Sequence, residues 1–196
     1  MLSHHRVAVL VRVLLCSLLA VGPASALCAQ SDDLVTAARR QIGLTVHYDG
    51  SYRKLSYPGG DVPADRGVCT DVVIRALRAA RNVDLQQEIH RDIGANRPAY
   101  RRVATRDPSI DHRRVPNQMT WFARHGYSVE ISRASSSYLP GDIVAWDLGG
   151  GILHIGIVSD AMSGEGVPLI VHNIGRGVQE EDLLFGYRII GHYRVT

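Results

Sequence analysis

The chain has 196 residues, a formal net charge of +3 and a hydrophobic fraction of 45%. This charge is too small to indicate a protein that binds nucleic acid, because the arginines that supply most of it are interspersed with aspartates. The length fits one globular domain together with a targeting segment.

Residues 1–29 have the composition of a secretory signal peptide. Arginines give positive charge near the start, an apolar run covers 7–21, and small residues allow cleavage after Ala26 or Ala29. The apolar run is shorter than the roughly 20 residues that cross a bilayer, so we expect no stable membrane span after cleavage. The sequence thus predicts a periplasmic or secreted protein with a single domain at 30–196, and an uncleaved anchor is the alternative.

Helical patterns dominate the first half of this domain. Residues 31–43 predict a capped helix, and residues 45–65 predict a loop because they are rich in Gly, Tyr, Pro and Asp. From Cys69 to Ala80 the apolar residues recur at helical spacing, and a further helix is expected to follow Asp84.

The second half of the domain changes to a strand-rich pattern. Residues 96–114 are irregular and polar, and residues 115–125 predict one more helix. Short β-rich runs then follow, separated by turns of Gly, Pro and Ser. These runs are 129–131, 142–146, 154–159, 169–173 and 187–193. Helices followed by strands predict an α+β domain with an antiparallel sheet.

Cys69 is the residue at which a nucleophile is expected. Cys16 lies in the apolar core of the signal and Cys28 is lost if cleavage follows Ala29, so the exported domain keeps Cys69 alone. Cys69 occupies the first turn of its predicted helix, where free N–H groups and the helix dipole favour a thiolate and lower the thiol pKa. The alternative is a small, inert and buried side chain.

Histidines in the strand-rich half supply candidate bases for such a cysteine. His154 opens one predicted strand and His172 lies in the next, so a hairpin would place the two rings side by side. Either ring could then act as the base or orient it. His192 is expected to be structural, and His112 follows Asp111 in a loop as a candidate substrate contact.

Other chemistries compete for the same residues. Zinc could bind Cys69, His154 and His172, but the sequence lacks the short-spaced ligand pairs typical of zinc sites. A serine hydrolase is disfavoured because no Gly-x-Ser-x-Gly occurs, and no glycine-rich loop has the context for phosphate binding. The sequence therefore predicts a reaction that uses no metal and no cofactor.

Several segments together resemble the NlpC/P60 superfamily of papain-like cysteine peptidases and amidases. Cys69 starts a helix, and it is followed in order by "GDIVAW" at 141–146, "HIGIV" at 154–158 and "LIVHNIG" at 169–175. The resemblance implies a papain-like α+β fold with N-terminal helices packed on a small antiparallel sheet. It implies that Cys69 is the nucleophile, that the histidine of "HIGIV" is the general base, and that the histidine of "LIVHNIG" orients it.

The region around the cysteine both matches and departs from the superfamily pattern. Tyr57 with Gly59-Gly60 is similar to a Tyr and Gly-Gly pair found upstream of the superfamily cysteine. Val68 and Thr70 stand where Asp and Ser are usual, and residues 84–114 form an insert. As a whole the segments resemble a narrower, exported bacterial branch of the superfamily, which implies no particular substrate.

Candidate substrate-binding residues lie in the loop regions and next to the predicted catalytic residues. Arg113 and Arg114 could bind a substrate carboxylate through their planar guanidinium groups. A solvated arginine face or a structural salt bridge is the alternative. The candidate set is Tyr57, Asp71, Asp111, His112, Arg113 and Asn173.

The resemblance and the predicted export together imply an exported thiol hydrolase. It would cleave an amide bond, most plausibly in cell-wall peptide, by a Cys-His-His mechanism. The expected partner is a peptide or peptidoglycan-like substrate, and no nucleic acid is expected. Two alternatives stay open: a thiol acyltransferase or esterase that uses the same residues, and a papain-like binding module without catalysis. The sequence does not indicate an oligomeric state.

Overall fold

The computed structural model describes residues 34–101 and 103–196, and the predicted signal peptide with its cleavage sites lies outside them. Four α-helices are described: α1 includes residues 34–39, and the others are α2 at Cys69–Arg81, α3 at Leu85–Ala95 and α4 at Val115–Arg124. Within the described ranges, no helix combines the length and hydropathy needed to cross a bilayer.

The strands form two sheets. A short parallel pair joins β1 (His47–Tyr48) to β2 (Arg66–Gly67). The larger sheet is antiparallel throughout and has the strand order β6-β5-β4-β3-β7. Its strands are β3 at Ile143–Asp147, β4 at Leu153–Met162, β5 at Pro168–Asn173, β6 at Val178–Glu181 and β7 at Arg188–Tyr193.

This architecture confirms the predicted mixed α+β fold with a small antiparallel sheet, and it corrects two strand predictions. Residues 129–131 form no strand, because Ser128 alone makes a single bridge to Tyr193. The edge strand β6 was not predicted, since its sequence, Val-Gln-Glu-Glu, is short and polar. Tertiary pairing with β5 makes these residues a strand, and local propensity does not.

The two faces of the large sheet bury different clusters. Ile155 and Ile157 of β4 belong to the main core, which they share with the apolar face of α2 and with Phe122 of α4. Side chains alternate along a strand, so His154 and Val158 lie on the opposite face. That face is covered by a smaller cluster built from Tyr138, Val144, Trp146, Val158, Ile170 and Leu184.

A buried carboxylate ties the start of β3 to the end of the chain. Asp142 is fully buried and accepts hydrogen bonds from His192 Nε2 at 2.7 Å, from Arg194 Nε at 2.7 Å and from the backbone N–H of Leu139 at 2.8 Å. His192 is therefore a structural residue, as expected. The Asp of "GDIVAW" has the same role: it anchors the strand that precedes the histidine strand.

Removing this carboxylate leaves buried donors without partners, a change that typically costs about 3 to 5 kcal/mol. We expect Asp142→Ala to lower the free energy of unfolding by roughly 3 kcal/mol in urea titrations. Asp160→Ala is the matched control, because Asp160 pairs with Arg39 at the surface and exposed pairs contribute under about 1 kcal/mol. Equal losses in the two variants would contradict the anchoring role.

Candidate active site

Cys69 is the first residue of α2 and lies on the wall of a cavity of about 940 Å³. Its position is fixed by the backbone just before it. The carbonyl of Gly67 accepts a hydrogen bond from Asn173 Nδ2 at 3.0 Å and from the N–H of Asp49 at 3.1 Å. The helix start is thereby tied to the end of β5.

The thiol of Cys69 is held neutral. Burial raises its pKa to about 12, although N–H groups of Ile155, Thr70 and Cys69 itself point toward the sulfur and lower the pKa. The carboxylate of Asp71 adds a further upward contribution. The predicted lowering of this pKa is therefore wrong for the resting protein: the helix N-terminus does act on the thiol, but desolvation outweighs it.

His154 on β4 and His172 on β5 form a direct hydrogen-bonded pair. His154 Nε2 lies 2.9 Å from His172 Nδ1, and the two rings meet edge to face. Both residues are almost fully buried, and the indole ring of Trp146 lies beside His154. The prediction that these histidines come side by side on adjacent strands is what the structure shows.

Gly156 permits this pairing. A Cβ added there would lie 2.7 Å from Ile170 Cγ2, 3.0 Å from His172 Cβ and 3.1 Å from the carbonyl oxygen of Val171. Such distances are shorter than atoms tolerate, so a side chain at this position would push β5 away. The glycine of "HIGIV" thus has a steric function, which is to let the ring of His172 approach His154.

Both imidazole rings are neutral at neutral pH. Burial and, to a smaller extent, the adjacent His172 together lower the pKa of His154 to about 3. Burial also lowers the pKa of His172, while Glu181 raises it in part. The resting site therefore combines a neutral thiol with a neutral imidazole pair, and it is not a thiolate–imidazolium ion pair.

Cys69 lies near β4, the strand that carries His154, but neither His154 nor His172 lines the cavity that Cys69 lines. The N–H of Ile155, the residue that follows His154, points at the Cys69 sulfur. Leu153, the residue that precedes His154, lines the same cavity as Cys69. In the described part of the chain no hydrogen bond joins the sulfur to either ring, and each histidine has the other as its ring partner.

Glu181 is a neighbour of this site that sequence reasoning missed. Its Oε2 lies 3.1 Å from His172 Nε2 in an ion-pair contact whose geometry falls short of a hydrogen bond, and its Oε1 pairs with Arg176. The sequence gives only a weak indication of Glu181, which is a pair of glutamates in a short run after a glycine-rich turn. Only the strand register places Glu181 opposite Ile170 and hence diagonal to His172.

Asp71 and Arg113 form a buried ion pair with two hydrogen bonds. Arg113 Nε lies 2.8 Å from Asp71 Oδ1, and Nη2 lies 2.9 Å from Oδ2. Asp71 also accepts the N–H of Val68 at 2.7 Å and so caps α2. The guanidinium that was expected to bind a carboxylate of the substrate thus binds Asp71, although Arg113 also lines the cavity. The predicted substrate contacts of the two residues stay predictions.

Asp111 and His112 also lie in the interior. Asp111 accepts hydrogen bonds from His90 Nδ1 at 2.9 Å and from the N–H of Asp107 at 3.0 Å. His112 is buried, and burial lowers its pKa to about 4. Neither residue lines the cavity. Both are packed inside the insert loop, and their predicted substrate contacts gain no support from these positions.

The remaining two candidates are also displaced from the cavity. Tyr57 is exposed and packs edge to face on His90, with ring centroids 5.3 Å apart. Asn173 is fully buried and braces the cysteine loop, as described above. The tyrosines on the cavity wall are Tyr48 and Tyr52 instead. Tyr57 was predicted because it stands just before Gly59-Gly60 in the sequence. Tyr48 reaches the cavity instead, because β1 pairs with β2, the strand that precedes Cys69.

The cavity wall is polar and carries more positive than negative side chains. Arg106 and Arg114 contribute exposed guanidinium groups, while Asp107 is hydrogen-bonded to the hydroxyl of Tyr52 at 3.0 Å. Arg113 on the same wall is neutralised by its aspartate. The cavity therefore presents net positive charge to a ligand.

A metal centre has no support from the side-chain positions. Throughout 34–101 and 103–196, no group of three or more His, Cys, Asp or Glu side chains could hold a metal ion. The zinc alternative for Cys69, His154 and His172 therefore gains nothing from the geometry.

Solved structures with a similar fold exist. Two crystal structures of an N-acetylmuramoyl-L-alanine amidase from Bacteroides uniformis ATCC 8492 each match with a TM-score of 0.52 and 14% sequence identity. The match covers 86% of this chain and 100% of each solved chain. At this identity the likeness concerns the fold, and it places the chain among α+β proteins of that architecture.

The chain belongs to the family described as "Domain of unknown function (DUF1287)", which matches residues 35–195. A relative from Escherichia coli strain K12, "Uncharacterized protein YijF", is 52% identical over 164 residues. That alignment covers 82% of this chain and 80% of the relative. The NlpC/P60 resemblance is not part of this family match.

The raised pKa of Cys69 predicts its alkylation behaviour. Only the thiolate reacts with iodoacetamide, so the rate in the folded protein is expected to rise about tenfold per pH unit from roughly pH 7 to 9 without a plateau. Mass spectrometry of the peptide that contains Cys69 measures the rate. The urea-unfolded protein is the control, and its rate should level off above about pH 8.5. A plateau below that pH in the folded protein would contradict the neutral thiol.

Proposed function

We propose that this protein is an exported cysteine amidase that cleaves an amide bond in cell-wall peptide. The observation that carries the proposal is the hydrogen-bonded pair of His154 and His172, held on β4 and β5 beside the strand position whose N–H faces the Cys69 thiol. A nucleophile, a base and a group that orients the base are the parts that thiol hydrolysis requires. The fold similarity to an N-acetylmuramoyl-L-alanine amidase supports the proposal.

The proposed reaction begins from the neutral pair. His154 Nε2 is bonded to His172, so Nδ1 is the nitrogen that takes the thiol proton as the sulfur attacks the amide carbonyl. The backbone N–H of Cys69 stabilises the oxyanion, a contribution of about 3 kcal/mol for one such donor. His154 then returns the proton to the leaving amine, and a thioester remains on Cys69.

Water completes the cycle. His154 takes a proton from a water molecule, the resulting hydroxide attacks the thioester carbonyl, and the acid product leaves as the proton passes to the sulfur. Deprotonation and attack are coupled in this scheme, because burial disfavours a free thiolate before substrate arrives. The scheme requires the thiol and Nδ1 to come into hydrogen-bond contact when substrate fills the cavity, as catalytic groups often do on binding.

The cavity favours a charged peptide over a fatty chain. Its wall carries the guanidinium groups of Arg106 and Arg114 together with two tyrosine hydroxyls, whereas an acyl-chain pocket is lined mainly by apolar side chains. Of the two arginines that the sequence suggested for binding a carboxylate, Arg113 is paired with Asp71, so Arg114 takes this role. Carboxylates of a wall peptide are the complementary groups, and the periplasm or exterior, to which residues 1–29 would direct the chain, is where they occur.

The decisive variants are Cys69→Ala and His154→Ala. We expect the wild-type protein to release amide-cleaved fragments from purified peptidoglycan, and mass spectrometry of the fragments to identify the new amine and carboxyl ends. Cys69→Ala should reduce release to background, and His154→Ala should reduce it by about 10²- to 10⁴-fold, the usual contribution of a general base.

Asp160→Ala serves as the control in the same assay, since it changes a surface charge far from the cavity. Undiminished release by Cys69→Ala would overturn the proposal. Transfer of the acyl group to an added alcohol or amine in preference to water would identify the acyltransferase alternative.

A further inference from the structure

The protons of the His154–His172 contact can be arranged in two ways, and only one of them leaves His154 Nδ1 able to accept a proton. Each neutral ring carries one proton, and one nitrogen of the 2.9 Å contact must donate while the other accepts. If His154 Nε2 donates, His154 Nδ1 has a free lone pair and His172 carries its proton on Nε2. If His172 Nδ1 donates, His154 Nδ1 is protonated and cannot receive the proton of Cys69.

Glu181 distinguishes the two arrangements. Its carboxylate can only accept hydrogen bonds, and its Oε2 lies 3.1 Å from His172 Nε2. A proton on His172 Nε2 is attracted to this oxygen, whereas a lone pair there would face a negative charge. His172 Nε2 is buried and makes no hydrogen bond in the described residues, so the nearby Glu181 carboxylate is the group that favours a proton there.

The carboxylate itself is held in place. Arg176 pairs with Glu181 Oε1, which leaves Oε2 directed at the ring. The charged and titratable groups that face His172 are thus His154 from β4, Glu181 from β6 and Arg176 from the turn before β6. Glu180 makes its contacts elsewhere, to Arg39 and Ser159.

We propose that Glu181 is a positioning residue that fixes the tautomers of His172 and His154 and so keeps His154 Nδ1 ready to accept the thiol proton. The inference rests on the proposed function in that His154 must be the base. When His154 becomes an imidazolium, the carboxylate two rings away also stabilises its charge through the intervening hydrogen bonds. Glu181 does not touch the reacting atoms.

Two measurements on Glu181→Gln and Glu181→Ala test this role. The first is the ¹⁵N chemical shift of each ring nitrogen of His154 and His172, which reports the tautomer without any substrate. We expect the wild-type protein to show protons on both Nε2 atoms, and the variants to show a mixture that includes His154 with its proton on Nδ1. Asp182→Asn removes an exposed neighbouring charge and should leave the tautomers unchanged.

The second measurement is the rate of fragment release from peptidoglycan. We expect the Glu181 variants to lower kcat by about 10- to 100-fold with little change in KM, part of the contribution of the general base. Their pH–rate profile should shift on the limb assigned to the base, whereas Asp182→Asn should match the wild-type protein. Wild-type tautomers together with a wild-type kcat in Glu181→Ala would overturn the inference.

The two proposals fail in different ways. If the tautomers shift in the Glu181 variants but peptidoglycan is not cleaved by the wild-type protein, the positioning role stands and the proposed substrate is wrong. If peptidoglycan is cleaved in a Cys69-dependent manner and the Glu181 variants behave as wild type in both measurements, the amidase proposal stands and the role of Glu181 is wrong.

Discussion

The site depends on the close approach of β4 and β5 at Gly156. Without a side chain at that position, His172 packs near enough for its Nδ1 to lie 2.9 Å from His154 Nε2. The same strand presents the N–H of Ile155 to the thiol of Cys69. One strand therefore carries His154 on one face of the sheet and makes a polar contact to Cys69 through the next residue. Any shift of its register would separate His154, His172 and Cys69.

Buried ion pairs hold the frame around this strand. The pair of Asp71 and Arg113 fixes the start of α2 against the insert loop, and Asp142 joins β3 to the end of the chain. Such pairs add little net stability compared with apolar residues but become costly when one partner is lost. Their effect here is to fix where Cys69 and β4 stand, while desolvation keeps the thiol and both imidazole rings uncharged until a substrate enters.

Periodicity and residue order were enough to predict the helices at 69–81 and 85–95, the histidine strands and the α+β class, because each depends on local patterns. The predicted substrate contacts of Asp111 and His112 gain no support from their positions, because a polar residue looks the same in sequence whether it faces a cavity or a buried partner. Glu181 was missed for the converse reason: its role follows from strand register, which links residues distant in sequence. The direction of the Cys69 pKa shift could not be predicted, because it depends on how deeply the thiol is buried. The position of a residue in a helix does not reveal this depth.

The most direct test of the account is to look for the thioester that it places on Cys69. Acid quenching within the first turnover on a defined peptidoglycan fragment, followed by peptide mass spectrometry, would detect it. The account predicts an added mass equal to the acyl portion of the fragment on the peptide that contains Cys69, removable by hydroxylamine. Accumulation of cleaved product with Cys69 unmodified, together with equal activity of Cys69→Ala, would contradict the account.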